Sequence, residues 1–127
     1  MIKKGAKQLL AEANAAVETV PVEQAIKLAA DPDVVFVDVR ETVERQKTGS
    51  IRGAVHAPRG FLEFHADPES PMHQPAFSSG KRILLFCASG GRSALAAKTL
   101  GEMGVPRVAH VAGGFGAWKQ AGGPTED

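Results

Sequence analysis

The stretch ILLFCASGGRS, residues 83–93, decides how the chain folds. Its apolar first part predicts a buried strand, and Cys87, the only cysteine of the chain, follows that strand directly. Small residues then form a loop, and Arg92 begins a stretch of helical composition. A thiol at such a junction faces backbone N–H groups and the positive end of a helix dipole. Both favour the thiolate, so the stretch predicts a nucleophilic cysteine.

The rest of the chain repeats the alternation of strand and helix. Apolar runs predict strands at 34–37, 54–57, 83–86 and 108–111, with a short strand at 19–20. Helices are predicted at 3–17, 22–30, 41–47, 92–103 and 115–121. Residues 50–53 are predicted as a turn and residues 59–80 as an irregular segment. The alternation predicts an α/β fold with a parallel sheet covered on both faces, and ligands bound at the carboxyl ends of the strands.

Composition limits the classes of function. The chain has 127 residues and a net charge of +1, with 43% hydrophobic residues, as one packed domain would have. Low charge and few aromatic residues argue against nucleic-acid binding. A single cysteine excludes an internal disulfide and a multi-cysteine zinc site, and no metal is expected. The basic N-terminus lacks a long apolar run after it, so we expect no signal peptide and no membrane span, and a cytoplasmic protein.

The loop after the cysteine has the composition of an anion cradle. Gly90 and Gly91 accept positive φ angles, which lets consecutive N–H groups point inward. Arg92 adds a permanent positive charge, and Ser89 and Ser93 offer hydroxyl donors. Two plainer interpretations stay open: a free cysteine is often a small buried hydrophobe, and Ser93 is a candidate helix cap. A nucleotide phosphate loop is disfavoured because no Lys-Ser or Lys-Thr pair follows.

Polar residues outside the loop have structural alternatives. Asp38 and Arg40 end a strand at the same sheet edge, and we favour a buried ion pair over a substrate-guiding role for Arg40. Arg59 follows a strand-ending proline and is a candidate for guiding an anionic substrate, with a solvated arginine as the equal alternative. His56 and His110 are interpreted as core or edge histidines with satisfied hydrogen bonds.

Four segments of the sequence resemble the motifs of a known family. The loop at 87–93 and the segments VDVRE (37–41), GSIRGA (49–54) and GGFGAW (113–118) resemble the single-domain rhodanese sulfurtransferases, and they occur in that family's order. The similarity runs from about residue 20 to residue 124. Residues 1–19 are interpreted as a helical N-terminal extension and residues 20–127 as the rhodanese domain.

The resemblance implies a fold, a reaction and a set of site residues. It implies a five-stranded parallel sheet with helices on both faces, and Cys87 as the nucleophile that accepts sulfane sulfur as a persulfide. The persulfide-binding residues would be Ala88, Ser89, Gly90, Gly91 and Arg92. A small sulfur donor such as thiosulfate would supply the sulfur, and cyanide, a thiol or a protein thiol would accept it, with no cofactor. A non-catalytic sulfur-carrier or binding module is the alternative.

Two departures from the family's pattern bear on this resemblance, and a difference in loop length bears on its main alternative. Ser50 stands where the family often has histidine, and we expect it to be a tolerated surface change. The loop lacks the extra basic residue of thiosulfate-specific members, so thiosulfate is not singled out as the donor. Related phosphatases and arsenate reductases of the same fold have five residues between cysteine and arginine, whereas this chain has four. The shorter loop suits one sulfur atom better than a tetrahedral phosphate.

Overall fold

Two uninterrupted apolar strands form the centre of the sheet. In the computed structural model, which describes all 127 residues, β2 (Val34–Asp38) pairs in parallel with β5 (Arg82–Phe86) along its whole length. Beyond β5 lie β6 (Val108–Val111) and β1 (Glu18–Val20), and β4 (Val55–His56) lies beyond β2, giving the order β1-β6-β5-β2-β4. All these pairings are parallel, so every strand ends at the same edge.

Helices connect the strands and cover the sheet. They are α1 (Ala6–Ala16), α2 (Val22–Lys27), α3 (Thr42–Thr48), α4 (Leu62–Ala66), α5 (Gly91–Glu102) and α6 (Gly114–Gln120), with 3₁₀ turns at Arg59–Phe61 and Pro75–Ser78. On one face α5 packs between α1 and α4, and on the other α2 packs against α6. The predicted α/β fold with a five-stranded parallel sheet and helices on both faces is confirmed.

The two faces of β5 lead into two separate cores. Ile83 and Leu85 pack under α5, and Leu84 and Phe86 pack towards α2 and α6, as the two-residue period of a strand requires. All four side chains are buried, which explains why the strand has no polar residue between Ile83 and Phe86. Cys87 continues the Ile83–Leu85 side, so its thiol lies on the α5 face of the sheet.

A small second sheet lies outside the main one. β3 (Ser50–Ile51) pairs antiparallel with β7 (Thr125–Glu126), so the prediction of a turn over residues 50–53 is wrong for its first half. Gly49 permits this pairing, because a Cβ atom there would overlap the carbonyl group of Glu126. The pairing holds the C-terminal segment beside Gly49, the residue that ends α3.

The N-terminal residues pack on the rest of the molecule. Helix α1 packs against α5. Strand β1 forms the edge of the main sheet beside β6, and the predicted domain boundary between residues 19 and 20 falls within this strand. Leu10 of α1 lies beside Gly91, where the loop enters α5. A Cβ atom built on Gly91 would be 3.7 Å from the Leu10 side chain. None of the six helices has the length and apolar character needed to cross a bilayer.

Candidate active site

The loop between β5 and α5 encloses the Cys87 thiol. The strand ends at Phe86, and the chain turns into α5 at Gly90, whose φ of +118° is a conformation that glycine adopts at little cost. Gly91 was expected to share this conformation, but it is the first residue of α5 and has no positive φ. Ala88 and Ser89 form the exposed outer side of the loop.

The inner side of the loop points its hydrogen-bond donors at the sulfur. The N–H groups of Gly90 and Ser93 lie with their nitrogens 3.1 and 3.4 Å from Cys87 Sγ, and Ser93 Oγ lies 3.6 Å away. Cys87 is only 1% exposed, and this burial raises the pKa of the thiol. Hydrogen bonds from the Ser93 hydroxyl and from the N–H groups of Ser93, Gly90 and Ser89 outweigh it, so the pKa of Cys87 lies below its ordinary value.

The first turn of α6 holds the loop from behind. The N–H groups of Phe115 and Gly116 donate to the carbonyls of Cys87 and Ala88 at 2.8 and 3.1 Å, which leaves the loop N–H groups free to face the sulfur. Gly114 makes this approach possible, since a Cβ atom there would be 2.5 Å from the Cys87 carbonyl oxygen. The GGFGAW segment therefore shapes the cysteine loop as well as anchoring the last helix.

Arg92 is held by a carboxylate. Its guanidinium forms two hydrogen bonds with Glu44 of α3, at 2.6 and 2.8 Å. The bonds to Arg92 lower the pKa of Glu44 to about 2, against partial desolvation, and the same bonds raise the pKa of Arg92. The expected free positive charge at the rim is therefore a paired one, although it still interacts favourably with a Cys87 thiolate.

His110, which the sequence pattern indicates to be a core or edge histidine, lies next to this site. His110 of β6 is 3% exposed, and its Nδ1 atom lies 2.9 Å from Ser93 Oγ. Its Nε2 atom lies 3.0 Å from Thr19 Oγ1. Burial lowers the pKa of His110. The register that pairs His110 with Leu85, two residues before the cysteine, brings it here; a histidine near the end of an apolar run was the only signal in the sequence.

Asp38 and Arg40 form the buried ion pair that we favoured. Both are almost fully buried, and Arg40 donates from Nε and a terminal nitrogen to the Asp38 carboxylate at 2.9–3.0 Å. Ser50 also donates to Asp38, at 2.8 Å, and is 2% exposed. The prediction that Ser50 is a surface residue is therefore wrong, because its hydroxyl completes the shell around a buried carboxylate. This cluster positions α3, which carries Glu44.

Arg59 lies away from the cysteine loop. Its guanidinium bonds to Glu63 at 3.1 Å and to Thr99 at 3.2 Å. Thr99 is eight residues along α5 from Gly91, about 12 Å along the helix axis. The structure therefore does not bring the Arg59 side chain together with the other candidate residues, and its anion-guiding role is dropped.

Two cavities adjoin the loop from opposite sides. One of about 300 Å³ lies beside Ala88 between α3 and α6, and Lys47 and Lys119 are among its lining residues. The other, of about 340 Å³, is lined by residues 89–91, by His110 and Thr19, and by Leu10 and Asn14 of α1. No group of three or more His, Cys, Asp or Glu side chains is arranged to hold a metal ion.

Comparison with solved structures finds the same fold in proteins that align over nearly the whole of this chain. A Rhodopseudomonas palustris protein, described as of unknown function and a possible tyrosine phosphatase, is 48% identical with a TM-score of 0.95, and the match covers 99% of this chain and 97% of that one. The polysulfide-sulfur transferase homodimer of Wolinella succinogenes is 29% identical with a TM-score of 0.72, covering 95% and 86%.

Comparison with curated proteins and families gives a consistent result. A sulfurtransferase of Allochromatium vinosum is 30% identical over 98 residues, covering 77% of this chain and 83% of that protein. The chain spans less than half the length of several other relatives, including 45% of a putative sulfur carrier protein of Bacillus subtilis, to which it is 33% identical. The family described as "Rhodanese-like domain" matches residues 21–121. With the cysteine loop, the sheet order and this match in agreement, the chain belongs to the rhodanese-like family.

Proposed function

We propose that the protein is a sulfurtransferase that carries sulfane sulfur as a persulfide on Cys87. The observation that carries this proposal is the pair of backbone N–H groups, from Gly90 and Ser93, aimed at the only sulfhydryl of the chain. Such donors stabilise negative charge on a sulfur atom without supplying a proton. The proposal needs no cofactor and no metal.

The reaction proceeds by two displacements. The Cys87 thiolate attacks the outer sulfur of a donor, an S–S bond to Sγ forms, and the donor's own bond to that sulfur breaks with the electron pair leaving on sulfite or on a thiolate. An acceptor thiolate or cyanide then attacks the outer sulfur of the persulfide, and Cys87 leaves as the thiolate. This is covalent catalysis with ping-pong kinetics. Loop N–H groups stabilise the anionic sulfur before and after transfer.

The comparisons support the class of reaction rather than a particular donor. One relative is named a sulfurtransferase, another a thiosulfate sulfurtransferase and a third a polysulfide-sulfur transferase. Lys47 and Lys119, in the cavity beside Ala88, favour an anionic donor such as thiosulfate or polysulfide. A single unpaired cysteine suits a reducing compartment, so we place the reaction in the cytoplasm.

Loading of the thiol tests the proposal. The folded protein is incubated with thiosulfate, polysulfide or mercaptopyruvate, and its intact mass is measured. We expect a gain of one sulfur atom on the wild type with at least one donor, lost again on addition of cyanide, and no gain on Cys87→Ser. Since Cys87 is 1% exposed, the assay measures access as well as reactivity. No gain with any of the three donors would overturn the proposal.

Two other functions give different results in the same preparation. A sulfur carrier, as one relative's name suggests, would be loaded only by a partner protein and would show no turnover with small donors. A phosphatase, as the description of the Rhodopseudomonas protein suggests, would hydrolyse an aryl phosphate. That activity is disfavoured because Arg92 is bound to Glu44 and only four residues separate it from Cys87.

A further inference from the structure

Three polar side chains connect the buried thiol to the cavity beside α1. Ser93 Oγ lies 3.6 Å from Cys87 Sγ, His110 Nδ1 lies 2.9 Å from Ser93 Oγ, and Thr19 Oγ1 lies 3.0 Å from His110 Nε2. Ser93 and His110 are buried, whereas Thr19 is exposed. His110 and Thr19 both line the cavity of about 340 Å³. The hydrogen-bonded line therefore runs from the sulfur to solvent.

The line has two hydrogen-bonding arrangements that keep the Ser93 hydroxyl proton within it rather than on the Gly90 carbonyl, whose oxygen lies 3.2 Å from Ser93 Oγ. With Cys87 as a thiolate, Thr19 donates to His110 Nε2, the Nδ1–H of His110 donates to Ser93 Oγ, and the Ser93 hydroxyl donates to Sγ. With Cys87 as a thiol, S–H donates to Ser93, Ser93 donates to Nδ1, and the Nε2–H donates to Thr19. Only neutral imidazole has one donor and one acceptor nitrogen, and burial, which lowers the pKa of His110, favours that form.

We propose that Ser93, His110 and Thr19 form a hydrogen-bonded relay that stabilises the Cys87 thiolate and conducts its proton to solvent, with His110 as a positioning residue that orients Ser93 towards the sulfur. The Sγ proton passes to Ser93 Oγ while the Ser93 hydroxyl proton passes to His110 Nδ1. The Nε2 proton passes to Thr19 Oγ1, and the Thr19 hydroxyl proton passes to solvent in the cavity. One proton leaves Cys87 and one enters solvent, and no side chain of the relay changes its net charge.

The charged side chains near the relay form ion pairs with other residues. Glu12 of α1 bonds to Lys4, Glu18 of β1 bonds to Arg82 of β5, and Arg92 of α5 bonds to Glu44. None of these side chains hydrogen-bonds to Ser93, His110 or Thr19. A pH-dependent change in the relay would therefore arise from Cys87 and His110 themselves.

The inference deepens the proposed function, and its test needs no sulfur donor. A thiolate absorbs in the ultraviolet, and this chain has one cysteine and no tyrosine, so its titration in the folded protein reports Cys87 against a Cys87→Ser blank. We expect Ser93→Ala and His110→Ala each to raise the midpoint by about one pH unit, because a hydrogen bond to a charged group is worth about that much. Thr19→Val should raise the midpoint by less, since it removes only the hydrogen bond that favours one tautomer of the His110 imidazole.

The chain supplies a matched control pair. His73 Nε2 lies 3.0 Å from Ser78 Oγ in the segment before β5, a histidine–serine pair without a cysteine. His73→Ala and Ser78→Ala should leave the midpoint unchanged. Added imidazole should restore the midpoint of His110→Ala, because the deleted ring borders a cavity that imidazole can enter. If the substitution raised the midpoint only by disturbing the fold, imidazole would not restore it.

The outcomes separate the two proposals. If Ser93→Ala raises the midpoint while His110→Ala and Thr19→Val leave it at the wild-type value, Ser93 acts alone and the relay is overturned. If His110→Ala does not fold, the midpoint of Thr19→Val decides between these results. Thr19 is exposed at the sheet edge, so this substitution should leave the fold intact. A normal relay response in a protein that no donor loads would contradict only the sulfurtransferase proposal.

Discussion

Replacing Glu44 by glutamine tests how the paired charge at the rim contributes to stability and to donor binding. Glutamine keeps the capping box of α3, in which the Glu44 side chain accepts from the Glu41 N–H at 2.9 Å, and it keeps one hydrogen-bond acceptor for Arg92. The negative charge is lost, and one of the two hydrogen bonds to Arg92 is lost with it, because the amide NH₂ group takes the place of an acceptor oxygen. Because the shape is preserved, the change in the free energy of unfolding measures the loss of the charged, bidentate character of the pair.

The magnitude follows from the pKa of Glu44. It is lowered from 4.5 to about 2 by the bonds to Arg92, against partial desolvation. A difference of that size corresponds to roughly 3 kcal/mol if fully realised. The two side chains are 30% and 39% exposed, so solvent screening reduces the expected loss in Glu44→Gln to about 1 kcal/mol at neutral pH. A lowered carboxyl pKa stabilises the fold above pH 4.5, and this contribution disappears as the pH falls towards about 2.

Urea denaturation across this pH range is the assay. The difference between wild type and Glu44→Gln should be largest at neutral pH and shrink below pH 4.5. Glu102→Gln is the control, since Glu102 pairs with Lys98 on the exposed side of α5 and should change stability by less than about 0.5 kcal/mol. Without its counter-charge, Arg92 should also attract an anionic donor more strongly, so the KM for thiosulfate should fall. Equal stability of wild type and Glu44→Gln at neutral pH, or a difference that persists at acid pH, would refute the reasoning.

Two further substitutions test the scaffold by urea denaturation. Gly114→Ala should lose roughly 1–3 kcal/mol more than Gly53→Ala. Both glycines have positive φ, but only a Cβ at Gly114 meets the Cys87 carbonyl oxygen, while Gly53 faces open space; equal losses would contradict the contact. Asp38→Asn should cost about 3–5 kcal/mol, because it leaves the buried Arg40 guanidinium without its counter-charge. A loss below about 1 kcal/mol would mean that Thr48 and Gly49 alone satisfy Arg40.

The sequence predicted the central strands of the main sheet because most of their residues are buried. β2, β5 and β6 are largely apolar, as a core on both faces of the sheet requires, and the carboxyl ends of parallel strands then converge without further information. The two-residue strands β3 and β7 have no such pattern. Their pairing joins Ile51 to Thr125 across most of the chain, and no local periodicity encodes a contact of that kind.

The site was predicted in composition but not in its polar connections. Cys87 and its loop follow from local chemistry. The contact of His110 with Ser93 depends on the register between β5 and β6, and the contact of Arg92 with Glu44 depends on how α3 packs beside the loop. Ser50 was misassigned for the same reason, because only the folded chain brings Asp38, twelve residues away, against its hydroxyl.

The single tryptophan gives the molecule a built-in optical probe. Trp118 is fully buried in α6, edge-on to Phe36 at a centroid distance of 5.2 Å, and its indole N–H donates to the Pro124 carbonyl at 2.9 Å. The first turn of the same short helix holds the carbonyls of Cys87 and Ala88. Intrinsic fluorescence therefore reports on the element that supports the reactive loop, and with no tyrosine in the chain the signal comes from one indole.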